Sequence, residues 1–136
     1  MNFRLMLDWS TLSTFFTPQD QSLFEVVGVF DPADSAAAAS EARCLQPDAV
    51  LFNVPPGNVN PGLISALRKV CPFTAIIVWA CSEKPEDIET ALKAGADSYL
   101  VQENVSPAEF LKTVRLICQT KLSFLPGSAL SFFFKT

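Results

Sequence analysis

Short unbroken apolar runs and apolar positions spaced for one helical face alternate along this chain, five times over. The run Ala49-Val50-Leu51-Phe52 is led in by Pro47-Asp48, closed by a lone Asn53 and followed by Val54-Pro55-Pro56-Gly57-Asn58. It predicts a strand buried on both faces, with Asn53 pushed out at its carboxyl end. Phe3 to Leu7 predicts a first strand closing at Asp8-Trp9-Ser10, and Phe24 to Phe30 a second. Ala75 to Ala80 and Ser98 to Val101 predict a fourth and a fifth. Between them, Leu12, Phe15 and Phe16 suggest a helix within 11–21, shortened by Pro18. Asp34 caps an Ala-rich helix over Ser35 to Leu45, small enough to sit close to a sheet. Leu63, Ile64, Leu67, Val70 and Cys71 form one helical face, ended by Pro72. Ile88, Ala91 and Leu92 form another over 85–94, with Gly95 as its stop. Ser106-Pro107-Ala108-Glu109 is a capping box with proline at the first helical position, followed by the face Phe110, Leu111, Val114, Ile117 and Cys118.

Strands alternating with helices predict an α/β fold, a (βα)5 flavodoxin-like three-layer sandwich. Right-handed crossovers give its parallel five-stranded sheet the order 2-1-3-4-5. Ligands of such sheets bind at the carboxyl edge of the strands, which makes Asn53 the residue to question.

The 136 residues suit one domain with a sizeable core, and a hydrophobic fraction of 49% against 18% charged excludes general disorder. A net charge of −4 argues against direct binding to DNA or RNA, because phosphate neutralisation needs a basic face. No apolar run approaches the roughly 20 residues of a membrane span, and the N-terminus lacks a leader-peptide pattern. Cys44, Cys71, Cys81 and Cys118 are scattered without a CxxC pair, which reads as buried small hydrophobes in a reducing cytoplasm. The chain has no His, so the commonest general base and metal ligand is missing.

Three segments carry a family resemblance: Gln46 to Asn53, Ala91-Leu92-Lys93-Ala94-Gly95-Ala96-Asp97-Ser98-Tyr99-Leu100, and Val105 to Leu111. They resemble response-regulator receiver domains, most closely those of NarL/LuxR-type transcription factors, over roughly residues 3–127. The resemblance implies a receiver-like domain over 1–121 and a linker or tail over 122–136, where Ser123-Phe124-Leu125-Pro126 is similar to the start of a linker to a helix-turn-helix domain. It also implies a chemistry that this sequence does not carry. Receivers are phosphorylated on an Asp at the end of strand 3, where this chain has Asn53. They place Ser or Thr at the end of strand 4 and Lys after strand 5, where this chain has Ala80 and Gln102. Their acidic Mg²⁺ pair after strand 1 corresponds to Asp8, Trp9 and Ser10, and one carboxylate is a poor cage for a hard dication.

The expectation is therefore a pseudo-receiver: no enzyme activity, no cofactor and no metal, acting by protein contact or as a homodimer. DNA would be reached only through a domain outside this chain. Ile88, Leu92, Tyr99, Phe110 and Val114 mark the expected interaction surface, and Tyr99, an aromatic switch position in the family, is expected to be locked. Asn53 is read as a strand-end amide satisfied by nearby backbone, ahead of a ligand contact or a fixed mimic of one state. Asp8 is read as a solvated carboxylate and Cys81 as an inert thiol. Trp79 fits either the core or the groove beside the fourth helix. The Phe132-Phe133-Phe134 run would pack on the domain, a dimer mate or a following domain. Two other classes stay open: a phosphoryl-accepting regulator with a displaced acceptor such as Asp8 or Asp48, and a small-molecule-binding domain with its ligand over Asn53.

Overall fold

In a computed structural model, residues 3–15, 24–54, 59–81, 83–103 and 105–121 are described. In chain order the elements are β1 (Phe3–Asp8), α1 (Trp9–Phe15), β2 (Phe24–Phe30), α2 (Ser35–Leu45) and β3 (Ala49–Val54). There follow α3 (Pro61–Val70), β4 (Ala75–Ala80), α4 (Pro85–Ala94), β5 (Ser98–Val101) and α5 (Pro107–Lys121). The five strands are parallel and ordered β2-β1-β3-β4-β5, as the pattern of runs predicts.

Strand alternation sends side chains to two cores. Met6, Val50, Phe52, Ile76 and Val78 meet Ala38, Ala42, Leu63, Leu67 and Ala91 of α2, α3 and α4 on one face. Leu5, Leu7, Leu51, Ile77 and Trp79 meet Phe110, Val114, Ile117 and Cys118 of α5 on the other. Trp79 is thus core, in edge contact with Phe110 at a ring-centroid distance of 4.5 Å, on the face away from α4.

The close approach of α2 rests on the glycine of β2: a Cβ on Gly28 would meet Glu41 Oε1 at 2.5 Å and Leu45 Cδ1 at 2.8 Å. Gly95 ends α4 at φ 126°, a conformation open to glycine at little cost. Residue 97 carries a polar staple between β4, α3 and the start of β5. Asp97 Oδ2 accepts from Ile76 N at 2.7 Å and pairs with Arg68, whose guanidinium also donates to the carbonyls of Gly95, Pro72 and Thr74.

Two expectations change here, those for α1 and for the cysteines. Helix α1 begins at Trp9, two residues earlier than the apolar spacing suggested, because Asp8 closes β1 and at once caps the helix. The segment 16–21, the Pro55-Pro56-Gly57-Asn58 turn and the 122–136 tail, with Phe132 to Phe134, lie outside the described residues. Only Cys71 and Cys118 are buried; Cys44 and Cys81 are exposed, and all four are free thiols.

Candidate functional site

The carboxyl edge of the sheet is built by the ends of β1, β3, β4 and β5, and by the first turn of α1. Parallel pairing sets Asn53 beside Trp79 and Val54 beside Ala80, while the backbone N–H of Gln102 donates to the Ala80 carbonyl at 2.8 Å. Asn53, Ala80 and Gln102 therefore converge where the spacing of strand ends placed them.

Asp8 is not solvated. It is only 4% exposed, and both carboxylate oxygens are engaged: Oδ1 accepts from Thr11 N at 3.0 Å and Oδ2 from Asn53 N at 3.2 Å. A carboxylate that accepts two backbone donors at a helix start is an N-cap, which joins β1, α1 and β3. The signal was available in the sequence, since an Asp directly before a helical run is a start mark.

The Asn53 side chain is also satisfied, but by side chains and not by backbone. Its Nδ2 donates to Ser10 Oγ at 3.1 Å, and its Oδ1 accepts from Gln102 Nε2 at 3.0 Å. The edge thus holds a neutral chain, Gln102 to Asn53 to Ser10, in which the amide of Asn53 is gripped from both sides. Sequence reading named the three residues and missed the bonds between them. An amide, a hydroxyl and an amide offer no nucleophilic anionic oxygen and no cation for a phosphoryl group. Among the described residues, no group of three His, Cys, Asp or Glu side chains could hold a metal ion.

Ala80 lies fully buried at the end of β4 and presents no hydroxyl. Tyr99 is 5% exposed and packs in the core shared with α2, α3 and α4. Trp9, beside Ser10, projects outward at 68% exposure.

A cleft of about 230 Å³ opens beside the edge, lined by Pro32, Ala33, Phe52, Asn53, Val54, Asn60 and Leu63. Phe52, Val54 and Leu63 belong to the α2–α3 core, whereas the strand alternation turns the Asn53 side chain to the opposite face, toward Ser10 and Gln102. The cleft is therefore walled mainly by apolar groups, and the amide of Asn53 is spent elsewhere. Asn60 also went unread: it caps α3 by accepting from Leu63 N at 3.1 Å, ahead of Pro61 at the first helical position.

The expected interaction surface needs correction. Phe110 and Val114 have no exposed area, and Tyr99 has almost none, so these three are core residues. Only Ile88 and Leu92 are half-exposed, packed at the margin of the α4 core. Helical spacing selects the face that turns inward, and Phe110 and Val114 are on it.

No family model matches the chain. It is 35% identical over 74 residues to the nitrate/nitrite response regulator protein NarL of Escherichia coli (strain K12), a match covering 54% of this chain and 34% of that protein. The NarL protein of a second Escherichia coli strain matches to the same extent. The match thus spans about a third of the length of these relatives. The signal receiver domain of a NarL response regulator from Mycobacterium tuberculosis superposes with a TM-score of 0.68 at 21% identity, over 87% of this chain and 97% of that one. A LuxR-family two-component response regulator from Aurantimonas sp. SI85-9A1 gives 0.71 at 19% identity, over 88% and 87%. The response regulator domain of Thermotoga maritima CheB gives 0.68 at 20% identity, over 88% and 98%. These structures share the flavodoxin-like α/β fold of this chain, with five parallel strands in the order 2-1-3-4-5, and the partial sequence match is to a response regulator of the NarL type.

Proposed function

We propose that this chain is a receiver domain of the NarL/LuxR type and, within that type, a pseudo-receiver: it signals by protein–protein contact without accepting a phosphoryl group. One observation carries the reading. The position of the family's phosphoacceptor is Asn53, and its amide is bonded on both sides by neutral side chains, Ser10 and Gln102. Phosphoryl transfer rests on positioning and on charge stabilisation of the transferring group. Here the nucleophilic carboxylate, the hydroxyl at Ala80 and the cation at Gln102 are all missing from the positions that match the family's. The remaining acid, Asp8, has both oxygens committed to backbone donors.

The same geometry weighs against a displaced acceptor. Asp8 is buried as a helix cap, and Asp48 precedes β3 at the opposite edge of the sheet, where its Oδ2 accepts from Arg4 N at 2.7 Å. Among the described residues, neither carboxylate forms an ion pair with a cation. The burial of Tyr99 in the core supports a locked aromatic.

On this reading the chain is a regulatory module and not an enzyme, with residues 1–121 as the folded unit and 122–136 as a linker or tail. Its partner is a protein or a second copy, DNA is contacted only through a separate domain, and the setting is the cytoplasm. Among the described residues, no helix is long and apolar enough to cross a membrane. The test is incubation with a small acyl phosphate and Mg²⁺ followed by intact mass. The unmodified mass is expected throughout, and a stoichiometric phosphoryl adduct would overturn the proposal.

A further inference from the structure

We infer that Asn53 is the middle of a latch that makes the first turn of α1 and the backbone at Gln102, just after β5, open and close together. The bonds form a continuous path. Ser10 lies in the first turn of α1 and holds Asn53 Nδ2; Gln102 follows β5 and holds Asn53 Oδ1. At each end the path is tied into backbone. Asp8 joins the N–H of Thr11 to that of Asn53, and the Gln102 N–H is bonded to Ala80 at the end of β4. Four strand ends and one helix start are therefore linked by two side-chain bonds to the Asn53 amide together with three bonds from backbone N–H groups.

The coupling follows from the geometry of an amide. Its oxygen and nitrogen are fixed on one planar group, so Gln102 and Ser10 each set the orientation that the other needs. Losing the Ser10 bond lets the Asn53 amide rotate and weakens the hold on Gln102, and the reverse holds equally. A partner that pulls on α1 beside the exposed Trp9 would thereby loosen the backbone at Gln102. All three groups are neutral, so the latch requires neither a phosphoryl group nor a metal, and it stands whether or not the chain is phosphorylated. Ser10 and Gln102 are positioning residues in this scheme.

Residue-resolved amide hydrogen exchange on the full chain tests it, using Ser10→Ala, Gln102→Ala, the double variant and Ser10→Thr. Loss of one hydrogen bond corresponds to roughly a three- to ten-fold change in opening. Gln102→Ala is expected to speed exchange by about that factor at Thr11 N–H, on the far side of Asn53. Ser10→Ala is expected to do the same at Gln102 N–H. The double variant should exchange no faster than the faster single one, and Ser10→Thr, which keeps the hydroxyl, should restore protection. Effects confined to the side of each substitution, or independent effects that multiply in the double variant, would overturn the latch. Because the readout involves no phosphoryl chemistry, it fails or succeeds separately from the intact-mass test.

Discussion

At the scale of single residues, the decisive feature is a change of charge type. Asn53, Gln102 and Ser10 form a bonded neutral set at a sheet edge that in the resembling family carries acids and a cation. Restoring one member does not restore the set. In Asn53→Asp, a new carboxylate would stand next to the one that caps α1, facing a neutral amide at Gln102 and a methyl at Ala80. We expect this variant to give no stable phosphoprotein and no phosphorylation-driven dimer shift, as read by intact mass and by size-exclusion chromatography with acyl phosphate and Mg²⁺. A normal shift would mean that the neighbouring positions do not limit the chemistry. The sequence made the identities at this edge legible, because the ends of apolar runs mark the ends of buried strands. It did not reveal that Asp8 is buried or that Ser10 bridges to Asn53. Both depend on where α1 begins, and the polar triplet Asp8-Trp9-Ser10 reads as a strand-ending loop as well as a helix start.

At the scale of elements, β4, β5, α2 and α4 begin and end where the apolar pattern, Asp34 and Gly95 place them. Helix α5 carries its capping box as written: Ser106 Oγ accepts from Glu109 N at 3.2 Å, and Ser106 N donates back to Glu109 Oε1 at 3.4 Å. The α5 face shows the limit of carrying a surface over from a family. Phe110 was expected outside and lies inside, in edge contact with Trp79. Truncating a fully buried aromatic costs about 3–5 kcal/mol, whereas a surface substitution stays within about 0.5 kcal/mol. Phe110→Ala is therefore expected to lose about 3 kcal/mol or more in urea denaturation. A loss below about 0.5 kcal/mol would return Phe110 to the surface.

At the scale of the whole molecule, two buried thiols give the fold a pH dependence. Burial pushes the Cys118 thiol up to about 12, with the negative charge of Asp48 acting in the same direction, and burial also raises Cys71. A thiol with a raised value holds its proton longer in the folded state than in the unfolded chain. Its stabilising contribution is complete below the ordinary value of 9.0 and is lost as the pH rises toward about 12. Urea midpoints are thus expected to fall as the pH rises from about 9 toward about 12, and to fall less steeply in Cys118→Ala, where one of these protons is gone. An equal slope in the variant would show that Cys118 does not titrate on unfolding. The exposed Cys44 and Cys81 are expected to react with iodoacetamide in the native state before Cys71 and Cys118 do.

The central claim, that the site is neutral and already satisfied, has a direct test in the amide NMR spectrum of the unmodified chain. Spectra are recorded alone, with Mg²⁺, and with Mg²⁺ and a small acyl phosphate. The account predicts that the backbone resonances of Asp8, Ser10, Asn53, Ala80 and Gln102 stay in place through all three. A new set of resonances at those positions on adding Mg²⁺ or acyl phosphate would contradict it.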